Sequence, residues 1–163
     1  MNDERLKNKL ADFAKLWLAH DGLWFQAVEN KYGIEVAIEL DGVAWSKFSP
    51  IEAKRIMNRC GLKPGGGIDS LLKALPERLY GLLNKQEVLE ADDKHAVFVM
   101  KTCRVQDARH KKNLKPFPCK EVGIIEYSEF AKTIDPRIQT KCLHCPPDKY
   151  NGQFWCKWEF SIA

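Results

Sequence analysis

The chain has 163 residues, 45% hydrophobic and 29% charged, with a formal net charge of +4. That length suits one domain, and the apolar share suffices for a core. So small a charge does not call for a nucleic-acid partner. The longest apolar run, AVFVM at 96–100, falls far short of the roughly 20 residues a membrane span needs. The start, MNDERLKNKL, is charged and has no apolar signal core. The expected setting is therefore cytoplasmic, with thiols kept reduced.

Leu6, Leu10, Phe13 and Trp17 recur at helical spacing, which predicts a first helix over residues 3–20. AHDG at 19–22 reads as a break. A second helix carries Trp24, Phe25, Val28 and Tyr32 and stops at Gly33. A third runs from about residue 34 to 48, with Ile38, Trp45 and Phe48 on one side. SPIE at 49–52 has the form of a new start: Ser49 to cap, Pro50 at the first helical position, Glu52 to close a capping box. That helix should end at Gly61. After the flexible KPGGG at 63–67, Leu72, Leu75, Leu79 and Leu82 form a further stripe, with Pro76 as a kink or restart. PGGGIDS lacks the ending of a phosphate loop and reads as a hinge. The tryptophans at 17, 24 and 45 are expected in the core between helices, with the lining of an apolar pocket as the other option.

The style changes after residue 86. EVLEAD and HAVFVMKTC predict two strands joined by DDKH. RVQDARHKKNL reads as a short basic helix, and KEVGIIEYSEFAKTI as a longer one closed by Asp135-Pro136. RIQTKC suggests a third strand. In FWCKWEFSI at 154–162, Phe154, Cys156, Trp158, Phe160 and Ile162 alternate with polar neighbours, the pattern of a strand with one buried face. The expected architecture is α+β: an N-terminal helical layer, then a small antiparallel sheet with one or two packed helices. The whole chain, 1–163, is read as one domain, with a helical part at 1–85 and a Cys-rich part at 86–163.

Of the six cysteines, five fall in the last 61 residues: Cys103, Cys119, Cys142, Cys145 and Cys156. Thiols used only as small hydrophobes should scatter, so the clustering suggests one site. Cys142-x-x-Cys145 gives two ligands at the separation a metal needs, and zinc takes four at about 2.3 Å from sulfur. Cys119 and Cys156 would complete the set, with Cys103 as a substitute ligand or a free thiol. An iron–sulfur cluster would also accept four cysteines but lacks the tight ferredoxin run here. Redox chemistry fits less well, because turn-forming PPDKYNG follows the pair where a helix would be wanted. A catalytic thiol would need a base, from His95, His110 or His144, with Asp135 or Asp148 to orient it. Plain burial of the thiols is the remaining reading. Metal binding ranks first among these.

Seven Lys or Arg stand against Asp107 alone between residues 101 and 120. No stacking aromatic lies within the basic segment 104–115, which speaks against single-stranded nucleic acid. Arg104, Gln106 and Arg109, joined by Arg137, are candidates for clamping a small anionic ligand; a solvated helix face, and for Arg137 a pair with Asp135, are the plainer readings.

Several stretches, DGLWFQAVENKYG, SPIEAKRIM, CRVQDAR, PFPCKEVGIIEYSEFAKTIDPRI, CLHCPPD and CKWEF among them, resemble a family of small bacterial and archaeal cytosolic proteins of unknown function. More distantly, the chain is similar to the L-2-amino-thiazoline-4-carboxylate hydrolase-like family and to vinyl-reductase-type ligand-binding domains. The first likeness implies no activity. The others imply either hydrolysis of a small cyclic compound or binding of a small molecule beside a metal. The expectation is a metal-binding, small-molecule-binding or sensor domain. Its rival is a thiol-dependent hydrolase of a small carboxylate-bearing compound, with Cys103 or Cys119 as nucleophile.

Overall fold

The computed structural model describes residues 3–163; Met1 and Asn2, which open the charged N-terminal segment, lie outside the described residues. Helices α1 (Asp3–Tyr32) and α2 (Ile34–Cys60) are followed by α3 (Gly67–Ala74) and two short 3-10 turns, Leu75–Glu77 and Leu79–Leu82. Strands β1 (Gln86–Ala91) and β2 (His95–Met100) come next, then α4 (Arg104–Lys111), α5 (Lys120–Ile134), β3 (Gln139–His144) and β4 (Cys156–Ser161). The expected α+β arrangement holds. No helix among the described residues is long and apolar enough to cross a membrane.

Two expected helix boundaries do not exist. α1 runs straight through AHDG, and α2 runs through Ser49-Pro50. A glycine inside a helix costs about 1 kcal/mol, and packing of α1 on α2 outweighs it at Gly22. Pro50 removes the ladder bond to the Ser46 carbonyl, yet the helix continues because both flanks are packed: Trp45, Ala53, Ile56 and Met57 are all buried. Ser49 caps nothing; its Oγ is buried without a partner. Glu52 turns inward instead of closing a box. The real break is Gly33, the one residue between α1 and α2. Its φ of 93° lies in the left-handed region that glycine adopts without strain.

The stripe expected at residues 72–82 is also redistributed. Pro76 ends the α-helical period, so the buried positions are Ile68, Leu71, Ala74 and Leu75, while Leu82 is exposed. Trp24 is 71% exposed and takes no part in the core. Trp17 and Trp45 do meet, edge to face at 6.2 Å, with Phe48 and Tyr80 beside them.

The sheet is antiparallel throughout, in the order β1-β2-β4-β3. β2 lies inside it and is buried from Ala96 to Met100. Its register sets Phe98 opposite Trp158, Ala96 opposite Phe160 and Met100 opposite Cys156. α5 packs between this face and α2 through Tyr127, Phe130, Ala131 and Ile134. The fit is tightest at Gly123, where an added Cβ would stand 2.8 Å and 2.9 Å from the Trp158 ring. That ring stacks on Tyr127 at 4.7 Å and is 1% exposed, so it has little room to move. Gly123→Ala should therefore lower stability by about 1–2 kcal/mol, the overpacking penalty outweighing alanine's better helix propensity. Urea denaturation would measure it, and an unchanged or raised midpoint would refute the tight contact.

Candidate functional site

Two features meet where the first turn of α5, the end of β3 and the start of β4 converge: a group of thiols and a cavity. Cys119 immediately precedes α5, Cys142 lies in β3, Cys145 follows β3, and Cys156 opens β4. The backbone N–H of Lys120 donates to the Pro146 carbonyl at 2.9 Å, which fixes the helix start to the Cys-x-x-Cys turn. Lys120 Nζ holds both oxygens of Asp148 at 2.7 Å, and Asp148 Oδ2 accepts the Cys145 backbone N–H at 3.1 Å.

Cys145 is the hub. Its thiol makes hydrogen-bonding contact with the thiols of Cys119, Cys142 and Cys156, and these contacts, with burial, push its ionisation far up. Cys142 moves the other way: the hydrogen bond from Cys145, and then the charge of Lys120, favour its thiolate against partial burial. Gln106 serves the same cluster. Its Nε2 donates to Cys119 Sγ at 3.0 Å and to the Phe117 carbonyl at 2.8 Å, while its Oε1 accepts the Phe117 N–H. All six cysteines are free. Among the described residues no group of three or more His, Cys, Asp or Glu side chains is already disposed to hold a metal ion.

Cys103 stands apart from this hub. It lies at the head of α4, and burial followed by the proximity of Cys119 raises its ionisation strongly. A thiol so disfavoured as thiolate is a poor nucleophile. Cys119 Sγ is engaged by Gln106 and the Phe117 carbonyl. No histidine hydrogen-bonds either thiol among the described residues. His95 instead contacts Glu159 at 3.0 Å, and His144 packs edge to face on Phe154.

The cavity, about 250 Å³, lies between α1, α2, α4, α5 and the sheet. Apolar and aromatic side chains make most of its wall, including Phe25, Trp45, Tyr80, Phe117, Tyr127 and Trp158. Cys103, Cys119, Cys145 and Cys156 also border it, so the thiols and the cavity share a wall. Three carboxyl groups reach it from three helices: Asp21 of α1, Asp41 of α2 and Glu126 of α5. Burial, then the charges of Asp21 and Glu126, lifts Asp41 to about 7 against the pull of a hydrogen bond with Trp45. Burial also raises Asp21, opposed by His20, and Glu126, opposed chiefly by Arg78.

Of the four residues expected to clamp an anion, Arg104, Gln106 and Arg109 border the cavity together and Arg137 does not. Arg109 is buried and already spoken for, with Nη1 and Nη2 on the two Glu29 oxygens at 2.7 Å and 2.8 Å and Nε on the Lys115 carbonyl. Arg137 lies elsewhere, held on Asp135 at 2.6 Å as the plainer reading had it. Gln106 supports the Phe117 loop. Arg104 is exposed at the cavity rim. Asp21, Asp41 and Glu126 escaped the sequence reading because AHDG at 19–22 has the form of a break and an acid inside a helix is by default solvated; helix packing is what brings all three to the cavity.

The family of unknown function DUF6125 matches residues 1–162. No curated protein matches the chain. Among solved structures, the phenol-responsive sensory domain of the transcription activator PoxR, with phenol, is 15% identical over 88% of this chain and 73% of that one, with a TM-score of 0.61. At that identity the likeness is one of fold. The expected place in an uncharacterised family is thus met, and the likeness to a hydrolase-like family gains no support from these matches.

Proposed function

We propose that this chain, which belongs to the DUF6125 family, is a small-molecule sensor domain whose cavity takes a compact, largely apolar ligand. The observation that carries the reading is the cavity of about 250 Å³, walled largely by aromatic and aliphatic side chains and bordered by the thiol cluster. A cavity of ~150 Å³ holds benzene, so this one has room for a substituted ring. The similarity to a phenol-responsive sensory domain supports it at the level of fold.

The thiol cluster is the second half of the proposal. Cys119, Cys142, Cys145 and Cys156 would hold zinc, in preference to an iron–sulfur cluster, and would release their protons on binding. The metal would tie three elements that meet at the cavity wall, and ligand occupancy and metal geometry would then influence each other.

Metal analysis of protein purified without chelator tests this half. About one zinc per chain is expected, lost in Cys142→Ser and Cys145→Ser together with several degrees of thermal stability. Wild-type metal content in both variants would sink the assignment. Phenol titrated against tryptophan fluorescence tests the cavity, because Trp45, Trp155 and Trp158 line it. Val105→Phe, which fills the wall, should abolish any response.

A further inference from the structure

The charges around the cavity do not balance. Its inner wall presents Asp21, Asp41 and Glu126. Arg78 contacts Glu126 at 2.7 Å, but it is shared with Glu52, at 2.8 Å. Arg109 is taken by Glu29, and Lys15, at the rim, leans on Asp12 at 3.5 Å. Asp21 and Asp41 have no ion-pair partner among the described residues; His20 acts on Asp21, and Arg104 borders the cavity from its exposed side. Carboxyl groups withdrawn from water without a counter-charge either take up protons or await a cation. A second unmet group belongs to the same wall. Trp158 is 1% exposed, and its indole N–H has no acceptor. Buried donors are rarely left so, and one bordering a cavity points to an acceptor supplied by a ligand.

We propose that the cavity is selective for an organic cation: a small arylalkylamine whose ammonium group is received by Asp41 and Asp21, and whose ring carries a hydrogen-bond acceptor. This rests on the cavity being a ligand site, and it gives that site a ligand class. It stands in place of the anionic ligand expected from the arginines, of which Arg109 and Arg137 are held by Glu29 and Asp135. The aromatic rings suit the body of such a molecule. The carboxylates suit its head, since an ion pair gains strength where water is excluded. Because Asp41 changes charge near pH 7, the amine should bind more tightly as pH rises through that point. Asp21 from α1 and Glu126 from α5 act on Asp41 directly, and the other charged groups bordering the same cavity are Lys15 from α1 and Arg104 and Arg109 from α4.

Calorimetric titration of the full chain near pH 8 with three molecules that differ only in their head group decides the matter. Tyramine carries an ammonium, tyrosol a neutral hydroxyl, and 4-hydroxyphenylacetate a carboxylate. Tyramine should bind about tenfold more tightly than tyrosol and more tightly still than the acid. Asp41→Asn should remove about tenfold from tyramine and change tyrosol by no more than about twofold. It should also abolish the loss of tyramine affinity between about pH 8 and pH 6. Asp21→Asn, on the other helix, should weaken tyramine in the same sense and serves if the first variant does not fold. Equal affinities for tyramine and tyrosol, or tightest binding of the acid, would overturn the cation proposal while leaving the cavity as a ligand site. Binding of none of the three at millimolar concentration would overturn both.

Discussion

Arg78→Met is expected to lower the stability of the fold by about 3–5 kcal/mol near neutral pH, the usual consequence of removing one partner from a buried ion network. Arg78 is 2% exposed. Its Nε donates to Glu52 Oε2 at 2.8 Å and its Nη2 lies 2.7 Å from Glu126 Oε1. The guanidinium sits over the rings of Phe130, Tyr127, Tyr80 and Trp45, at 4.6 Å to 5.9 Å from their centres. The single extended residue between the two 3-10 turns thus supplies the cation that neutralises α2 and α5 where they pack. Without it, two carboxyl groups would remain in an aromatic enclosure with no counter-charge. Methionine keeps most of the volume, so the loss would be electrostatic. Glu126→Gln in the Arg78→Met background should recover part of it by removing one orphan charge, and urea denaturation of the single and double variants would show this. A loss under about 1 kcal/mol, or no recovery in the double variant, would mean that the pair is not the keystone of this interface.

How much of this was legible follows from which forces act locally. The alternation at 154–162 and the apolar run at 96–100 marked β4 and β2, because a strand's period of two shows in any one-sided sheet. The late clustering of the cysteines suggested one neighbourhood, and Cys119, Cys142, Cys145 and Cys156 lie where β3 and β4 pair and α5 starts beside them. Helix ends were not legible. Ser49, Pro50 and Glu52 satisfy a local start signal, but Glu52 finds a stronger partner in Arg78, 26 residues onward. Nor could the sequence show that Arg109 would reach back 80 residues to Glu29. Arg109 looked free because its partner lies on α1. Asp21 looked solvated because AHDG reads as a break, and Asp41 because an acid inside a helix is by default on its exposed face. In both cases the deciding partner is far away in the chain, beyond the reach of any periodicity or spacing.

Asp41→Asn is expected to raise stability by about 2–3 kcal/mol near pH 8 and to leave it almost unchanged near pH 4. The sign follows from linkage. Asp41 titrates at about 7 in the fold, against an unfolded value near 3.8. Between those values the folded chain keeps a proton that the unfolded chain has lost. The carboxyl therefore adds stability that is fully present below about pH 4 and lost as pH rises through about 7. At 1.36 kcal/mol per unit, the full effect approaches about 4 kcal/mol, and residual exposure of the site reduces it. Asparagine keeps the shape and an oxygen for the Trp45 hydrogen bond but never ionises. Asp21 and Glu126 are raised in the same direction, so they also contribute to the slope. Asp135 and Asp148 are held low by Arg137 and Lys120 and act in the opposite sense, losing stability only as the solution becomes strongly acidic. Denaturant midpoints of both proteins near pH 5 and pH 8 would separate these contributions. An identical pH slope in the variant would show that Asp41 is not the group withdrawn from water. The expected gain has a functional meaning. A carboxylate that destabilises the empty protein at neutral pH is one whose strain a bound cation relieves, so tyramine should stabilise wild type near pH 8 and have little effect on Asp41→Asn.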